Sequence, residues 1–253
     1  MNNLFVFLPC YNEEDNIGSL IEEWMKQKEK LNERGFELFL RPIDDCSKDN
    51  TKQIIEEKAA LYPENVALIA HKVNKNLRGG LNTGIACFLE NAGEYDYMAF
   101  MDGDNTHNPK YIHSMFDKLE KDNLDCVIAS RYCGDSGVVG VAAHREFFSD
   151  MAKIYYSLLL RVPGVKDYTC GYRLYNYKSI VNLVKKYGSE PIKEKSFACM
   201  MEFLYKLHLS GSKFGEVGFE LRYDNKLGES KMNVFKTAKD SLATAAKLRF
   251  IKK

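Results

Sequence analysis

Residues Tyr97 to Asp104 read YMAFMDGD, an apolar run that ends in two carboxylates around a glycine. A short apolar run that ends at a turn signal is typical of a strand buried on both faces. Gly103 permits a tight turn and lets a ligand approach the backbone. Asp102 and Asp104 repel one another at such a turn unless a cation lies between them. The stretch alone also fits a solvated turn, but its place after a buried strand favours a Mg²⁺ or Mn²⁺ site.

Similar runs recur along the first half of the chain and alternate with helical patterns. The predicted strands are Leu4–Leu8, Leu38–Ile43, Val66–Ala70, Tyr97–Met101 and Asp125–Ala129. The predicted helices between them are Asn16–Asn32, Asp49–Leu61, Gly80–Asn91 and Pro109–Asp122. This alternation predicts an α/β fold with a mostly parallel sheet flanked by helices. In such sheets ligands bind outside the carboxyl ends of the strands.

The second half is less regular. It predicts helices at Ala143–Leu160, Lys178–Tyr187 and Ser196–Leu209, a strand at Lys213–Arg222 and a loop at Asn225–Lys231. We expect one domain over residues 1–232, followed by a basic amphipathic helix within residues 233–253. That last helix is interpreted either as a surface for anionic lipid or a partner, or as a capping helix with a solvated face.

Composition narrows the classes of function. The 253 residues carry a net charge of +1, so no overall field points to nucleic acid. The seven cysteines form no CxxC pair, which suits thiols in a reducing compartment. The chain begins on an apolar run without a basic leader, and no apolar run reaches the roughly 18 residues that span a bilayer. We therefore expect a cytoplasmic protein whose membrane contact, if any, is peripheral.

Polar residues follow the other predicted strands. Asp44 and Asp45 come after the second strand and either contact a nucleoside or cap the next helix. Arg131 follows the fifth strand, where a functional role is favoured over a solvated one. Arg78-Gly79-Gly80 precedes the third predicted helix and indicates either a phosphate-binding turn or a plain loop.

Taken together, these motifs resemble the family 2 glycosyltransferases of GT-A (Rossmann-like) fold, and within them the dolichol-phosphate (polyprenol-phosphate) mannose synthases. The order and spacing of the motifs carry the resemblance over about residues 4–232. The motifs are Pro9-Cys10-Tyr11-Asn12-Glu13, Asp44-Asp45-Cys46-Ser47-Lys48-Asp49, Asp102-Gly103-Asp104, Ser130-Arg131-Tyr132, the segment from Asp167 to Arg173, and Gly228-Glu229-Ser230-Lys231.

The resemblance implies a role for each matching position. The nucleoside of a nucleotide-diphosphate sugar would be held by Pro9, Tyr11, Glu13 and either Asp44 or Asp45. The metal and diphosphate would be held at Asp102, Gly103 and Asp104, with Thr106 at a third metal-site position. The acceptor phosphate would be bound by Arg131, Arg145 and Ser149, and the donor phosphates by Lys231. Arg222 and Lys226 compete for the place of an arginine that usually precedes the last motif.

The resemblance further implies an inverting displacement that moves mannose or another hexose onto polyprenyl or dolichyl phosphate. A phosphate acceptor is already anionic near neutral pH and needs orientation but no base. A hydroxyl of a soluble or cell-surface glycan would need a carboxylate base, for which Asp167 and Glu202 are the candidates. Glu202 is equally well interpreted as a structural hydrogen-bond partner. A nucleotidyltransferase and a nucleotide-sugar binder without activity are the remaining alternatives.

Overall fold

The computed structural model describes residues 1–134, 136–139, 143–222 and 234–250, and their side chains except those of 138, 139, 143–150 and 234–239. The strands are β1 Asn2–Cys10, β2 Phe36–Asp44, β3 Ile69–Ala70, β4 Tyr97–Phe100, β5 Cys126–Ser130, β6 Gly137–Val139, β7 Arg173–Asn176, β8 Phe214–Gly218 and β9 Glu220–Arg222. The helices are α1 Ile17–Met25, α2 Lys28–Glu33, α3 Thr51–Leu61, α4 Asn76–Asn91, α5 Ile112–Lys121, α6 Ala143–Leu160, α7 Tyr177–Tyr187, α8 Cys199–Leu209 and α9 Val234–Arg249.

Seven strands form one mixed sheet in the order β3-β2-β1-β4-β7-β5-β8. All its neighbouring pairs are parallel except those that β7 makes with β4 and β5, which are antiparallel. Strands β6 and β9 pair in parallel as a separate two-stranded sheet. The predicted α/β fold with a mostly parallel sheet is confirmed, because the carboxyl ends of β1, β2 and β4 lie along one edge.

The core lies on both faces of this sheet. Residues Leu4 to Leu8 of β1 are all nearly inaccessible, as expected for a central parallel strand covered by helices on both sides. Helix α4 approaches the sheet closely because Gly84 has no side chain. A Cβ atom there would lie 2.5 Å from Cζ of Phe100.

Several predicted boundaries are wrong in detail. The helix expected over Asn16–Asn32 divides into α1 and α2, because the Gln27 N–H bonds to the carbonyl of Trp24 and tightens the backbone there. The strand expected over Lys213–Arg222 divides into β8 and β9. Gly218 lies where a Cβ would be 2.2 Å from the Cys133 carbonyl oxygen, so the chain turns there into the second sheet.

The expected phosphate-binding turn at Arg78-Gly79-Gly80 is also wrong, and so is the plain-loop alternative. Helix α4 begins at Asn76, so these residues lie inside its first two turns. A Cβ on Gly80 would lie 3.1 Å from Cβ of Pro9. Gly80 therefore allows the helix to pack on the end of β1.

Helix α9 packs against α6 and α8. Ser241, Thr244, Ala245 and Leu248 are buried, whereas Leu242 is 39% exposed. The apolar residues Ala245 and Leu248 of this helix therefore face the protein. No described helix has the length and apolar character needed to cross a membrane.

Candidate active site

The loops that follow β1, β2 and β4 each contain a residue in the left-handed backbone region. These residues are Asn12 (φ 54°), Cys46 (φ 61°) and Asn105 (φ 59°). A side-chain-bearing residue is uncommon there, and such residues concentrate where a loop is held in one conformation for a site. The three loops leave the same edge of the sheet. The left-handed residues therefore lie in the region that contains the sequence motifs after β1, β2 and β4.

The first two of these loops are tied together by hydrogen bonds. The Asn12 N–H donates to Ser47 Oγ at 3.0 Å, and the Lys48 N–H donates to Asn12 Oδ1 at 2.8 Å. The Glu13 N–H donates to Thr51 Oγ1 at 2.7 Å. The motif after β1 and the motif after β2 therefore form one rigid unit.

The buried thiol of Cys10 shows how closely the acidic residues converge. Its pKa is raised well above the ordinary value, first by burial and then by the negative charges of Glu13, Asp44, Asp104 and Asp102. These carboxylates follow three different strands. The acidic positions of three motifs therefore lie near enough to the end of β1 for their charges to act on this thiol, and a cation would be stabilised there.

The structure separates the two aspartates that the sequence left as alternatives. Asp45 Oδ1 accepts hydrogen bonds from His71 Nδ1 at 2.7 Å and from the Lys75 N–H at 2.8 Å. Asp44 accepts from the Ser47 N–H and contributes to the negative field on Cys10. Asp45 therefore anchors the loop before α4, and Asp44 is the member of the pair that belongs to the acidic cluster.

The turn of Asp102 and Asp104 is built around two glycines. A Cβ on Gly103 would lie 2.6 Å from Cys10 Sγ, and one on Gly171 would lie 2.5 Å from Asp102 Oδ1. The carboxylate of Asp102 thus lies against the backbone of the 167–172 loop. Both glycines are needed for the turn to lie this close to β1 and to that loop.

The donor atoms of this turn fit Mg²⁺ or Mn²⁺, which prefer oxygen ligands. Among the described residues, no group of three or more His, Cys, Asp or Glu side chains is arranged to hold a metal. A complete protein cage is not required, because Mg²⁺ is commonly held by one or two carboxylates together with substrate phosphates. Asp102 and Asp104 are two carboxylates of one turn that could act in this way.

Thr106 lies beside the turn and is buried. Its hydroxyl donates to Asp104 Oδ1 at 2.7 Å, and its Oγ1 lies 3.1 Å from Nδ1 of His107. Burial lowers the pKa of His107 to about 4. The imidazole is therefore neutral near pH 7, and Thr106 orients the carboxylate of Asp104.

Arg131 and Asp167 form a bidentate ion pair beneath the loops. Arg131 Nε donates to Asp167 Oδ2 and Nη2 donates to Oδ1, both at 2.7 Å, and Nη2 also reaches Thr169 Oγ1 at 2.7 Å. Burial alone would raise the pKa of Asp167, but the charge and hydrogen bonds of Arg131 hold it at about 2. A carboxylate with so low a pKa is a weak proton acceptor near neutral pH.

Glu202, the other candidate base, is equally engaged. Its Oε2 accepts from the N–H groups of Lys193 and Glu194 at 2.8 and 2.7 Å, and its Oε1 accepts from Lys206 Nζ at 2.6 Å. These contacts fix the loop before α8. They favour the structural interpretation of Glu202 over the catalytic one.

The remaining predicted residues fall into two groups. Pro9 lies against Gly103 and Gly80, Tyr11 is 37% exposed, and Arg222 donates its N–H to the Thr106 carbonyl at 3.2 Å, next to the acidic turn. The side chains of Arg145 and Ser149, and residues Lys226 and Lys231, lie outside the described residues.

Sequence reasoning assigned no role to three residues that shape the site, although Cys10 and Arg173 lie within its motifs. Cys10 is the point on which the acidic groups converge, and His71 holds Asp45 while its Nε2 lies 2.9 Å from Thr83 Oγ1. Arg173 is fully buried and donates to the carbonyls of Tyr168, Cys170 and Met200. Arg173 had a signal in the sequence, because it ends the motif that starts at Asp167, and a charged residue at the start of a buried strand calls for buried partners.

Comparison with known proteins agrees with this architecture. The whole chain superposes with a TM-score of 0.67 on 81% of glucosyl-3-phosphoglycerate synthase from Mycobacterium tuberculosis, solved in complex with Mn²⁺, UDP and glucosyl-3-phosphoglycerate, at 14% identity. It superposes over 98% of its length on 70% of a mannosyltransferase from Pyrobaculum calidifontis in complex with GDP-Man and Mn²⁺, with a TM-score of 0.61 and 14% identity. The fold is therefore that of the GT-A glycosyltransferases.

Comparison of sequences identifies the family to which the chain belongs. The family model for glycosyl transferase family 2 matches residues 5–183, so this chain belongs to that family. It is 30% identical over 176 residues to an uncharacterised protein of Methanocaldococcus jannaschii. That alignment covers 68% of this chain and 70% of the relative. It is 29% identical over 182 residues to a dolichyl-phosphate beta-glucosyltransferase of Dictyostelium discoideum, covering 68% of this chain and 53% of the relative. The expected resemblance to dolichol-phosphate sugar synthases is confirmed, with glucose instead of mannose in the relative's name.

Proposed function

We propose that this protein transfers a hexose, with inversion, from a nucleotide-diphosphate sugar to a polyprenyl or dolichyl phosphate. The observation that carries the choice of acceptor is the Arg131–Asp167 ion pair. Both candidate bases are paired with a cation, Asp167 with Arg131 and Glu202 with Lys206. A hydroxyl acceptor needs a base, whereas a phosphate acceptor needs orientation by a cation.

The donor half of the proposal rests on the acidic cluster. Asp102 and Asp104 would hold Mg²⁺ or Mn²⁺, which when bound supplies positive charge to the departing diphosphate. Asp44 and Glu13 would accept hydrogen bonds from ribose or base, and the exposed ring of Tyr11 would stack on the base. The backbone of Arg222 is bonded to that of Thr106, and its guanidinium, which pairs with Glu220 at 3.3 Å, would add a positive charge near the phosphates.

The acceptor half rests on Arg131. Its two hydrogen bonds to Asp167 fix the plane of the guanidinium and leave Nη1 on the outer edge of the fork. An arginine held in this way loses little side-chain entropy when it binds an anion. Arg145, Ser149, Lys226 and Lys231 are proposed to complete the phosphate contacts, as the resemblance implies, and α9 is proposed to contact the membrane.

The mechanism then needs no proton transfer from the acceptor. The phosphate oxygen, positioned by Arg131, attacks the anomeric carbon from the face opposite the nucleoside diphosphate. The bond from that carbon to the diphosphate oxygen breaks as the new bond forms, so the configuration inverts. The protein contributes orientation of the two reactants and complementary charge.

The test is a matched set of donors and acceptors. Purified protein with Mn²⁺ is offered GDP-mannose and UDP-glucose, each with a short-chain polyprenyl phosphate, the corresponding polyprenol, or 3-phosphoglycerate. Nucleoside diphosphate release and the configuration of the product are measured. The proposal expects turnover with the prenyl phosphate, none with the alcohol, and an inverted product.

Turnover on an alcohol or on 3-phosphoglycerate without turnover on prenyl phosphate would overturn the acceptor assignment. That result would favour the alternative, a family 2 transferase that acts on a soluble or cell-surface acceptor. Turnover with retention of configuration would overturn the mechanism. Donor binding without any turnover would leave a nucleotide-sugar binding protein as the better description.

A further inference from the structure

His107 lies in the protein interior beside the turn that carries Asp102 and Asp104, and it is only 6% exposed. Its imidazole stacks on the ring of Phe219, with 5.1 Å between the centroids and 16° between the planes. The ring of Tyr172 meets the imidazole edge-on, with 6.0 Å between the centroids. Two aromatic neighbours therefore hold the plane of the imidazole, so its two nitrogens are held toward fixed partners.

Both ring nitrogens of His107 have a side-chain partner. Nδ1 lies 3.1 Å from Thr106 Oγ1, and Nε2 lies 3.5 Å from Cys170 Sγ. The Thr106 hydroxyl in turn donates to Asp104 Oδ1 at 2.7 Å. These four side chains, the histidine network, form one series of contacts. The series begins at a buried thiol and ends at a carboxylate of the acidic turn.

The number of available protons sets the direction of each hydrogen bond in the histidine network. An ionised carboxylate only accepts, so the single hydroxyl proton of Thr106 is used toward Asp104. Thr106 Oγ1 must then accept from the Nδ1–H group of His107. Burial lowers the pKa of His107 to about 4, so the ring is neutral near pH 7 and its Nε2 is an acceptor. Burial raises the pKa of the Cys170 thiol, which therefore keeps its proton and donates it to Nε2.

Cys170 connects the histidine network to the loop that backs the other aspartate of the turn. The Cys170 N–H donates to Asp167 Oδ1 at 3.1 Å. The next residue is Gly171, where a Cβ would lie 2.5 Å from Asp102 Oδ1. Through its contact with Cys170, His107 is therefore joined to the segment on which Asp102 rests.

We propose that His107 is a positioning residue that holds Asp104, through Thr106, in the orientation from which this carboxylate binds the metal. The Nδ1–H group of His107 occupies the acceptor side of the Thr106 oxygen, so that the hydroxyl proton is directed to Asp104 Oδ1. Loss of an outer partner of this kind commonly weakens metal binding by about ten- to a hundredfold. The inference rests on the metal site of the proposed function and is independent of the acceptor.

The experiment measures the binding of Mn²⁺ to the purified protein in the presence of GDP and, in a second series, of UDP. The electron paramagnetic resonance signal of free Mn²⁺, corrected for the nucleotide alone, gives the dissociation constant of the ion. His107→Phe keeps a ring that can stack on Phe219 but removes both nitrogens. His107→Asn keeps an N–H donor in place of Nδ1–H. Asp104→Asn shows the effect of losing the carboxylate itself.

The matched control is His113→Phe, the same substitution at another buried histidine. His113 is also 6% exposed, and its Nε2 lies 3.2 Å from Gln27 Oε1 on the other side of α5 from the histidine network. The melting temperature of every variant is recorded beside its Mn²⁺ affinity. A loss of affinity that follows stability alone would then occur in the control as well.

We expect His107→Phe to weaken Mn²⁺ binding by about tenfold or more, and His107→Asn to bind close to the wild type. Thr106→Val should weaken binding as much as His107→Phe does. The double variant should be no weaker than either single variant, because both act through the same hydrogen bond. His113→Phe should lower the melting temperature and leave the Mn²⁺ affinity unchanged.

Wild-type affinity in His107→Phe would overturn the proposal, and so would a loss in His107→Asn as large as that in His107→Phe. Wild-type affinity in Thr106→Val would overturn it too, and this result decides the question if His107→Phe does not fold. If the wild type and Asp104→Asn bind Mn²⁺ equally, the metal site of the proposed function fails together with this inference. If Asp104→Asn loses the ion and His107→Phe keeps it, only the positioning role fails.

Discussion

Arg131 and Asp167 share two hydrogen bonds of 2.7 Å, and the Arg131 N–H adds a third contact to the same carboxylate at 3.1 Å. The Asp167 side chain is fully buried, and that of Arg131 is 18% exposed. One residue follows β5 and the other lies in the loop before β7. The pair therefore joins the end of β5 to the loop that backs Asp102.

Asp167→Asn should destabilise the protein strongly, because it leaves a largely covered arginine without its counter-charge and removes a fully buried carboxylate from its hydrogen bonds. We expect a loss of about 3–5 kcal/mol in the free energy of unfolding. Urea unfolding of the single variants Asp167→Asn and Arg131→Met, and of the double variant, measures it. A double variant less stable than Asp167→Asn by the full Arg131→Met effect would show that the two residues are not coupled.

Glu202→Gln offers a second comparison, because its carboxylate bonds to Lys206 and two backbone N–H groups. If Glu202 is structural, the variant should lose stability while its kcat on the true acceptor and its pH profile stay close to wild type. A kcat that falls by the 10²–10⁴-fold typical of a lost general base would contradict this interpretation. Steady-state kinetics at several pH values provide the measurement.

Asp104→Asn should abolish turnover while the protein stays folded. The substitution removes one negative charge from the acidic turn. It also replaces one carboxylate oxygen with an NH₂ group, which does not bind Mg²⁺. We expect a fall in kcat of at least about a hundredfold. Asp122→Asn, at a partly exposed ion pair with Lys118 at the end of α5, is the control. Near-normal rates of Asp104→Asn in the presence of a chelator would remove the metal from the proposal.

Gly171→Ala should impair activity more than stability. The new methyl group would lie 2.5 Å from Asp102 Oδ1, and the flexible carboxylate can move aside at small cost to the fold. The Asp102 carboxylate would then no longer lie in the position from which it would bind the metal. A shift of about 1 Å in such a group can cost about a hundredfold in rate. Gly93→Ala, whose Cβ would meet its nearest neighbour at 3.9 Å, should leave rate and melting temperature unchanged.

Stability should fall with acid partly through His113. Burial, with the charges of Lys30 and Arg34, lowers its pKa from 6.5 to about 4. Between these values the unfolded chain is protonated there and the folded chain is not, so folding is disfavoured as pH falls. The variant His113→Gln has no titrating group at this position and so loses this pH-dependent contribution to the free energy of unfolding. Its free energy of unfolding should decline less than that of the wild type between pH 6.5 and about 4, as measured by urea unfolding. Parallel declines would contradict the assignment.

The sequence was sufficient to predict the sheet and the position of the acidic turn. Period, length and turn residues are local properties, so the runs at Leu4–Leu8 and Tyr97–Met101 could be recognised as buried strands without neighbours. The antiparallel β7 between β4 and β5 was not predicted. Its four residues carry a buried arginine, and only the carbonyls of Tyr168, Cys170 and Met200 make that arginine tolerable.

What the sequence determined by itself is which chemical groups follow which strand: carboxylates after β1, β2 and β4, and an arginine after β5. What only the tertiary structure decided is which of those groups are already engaged. Asp45 bonds to His71, Asp167 to Arg131 and Glu202 to the N–H groups of Lys193 and Glu194, partners from 8 to 36 residues away. The physical reason is that a carboxylate's pKa and its freedom to bind a ligand depend on its neighbours in space, which packing of the whole chain selects.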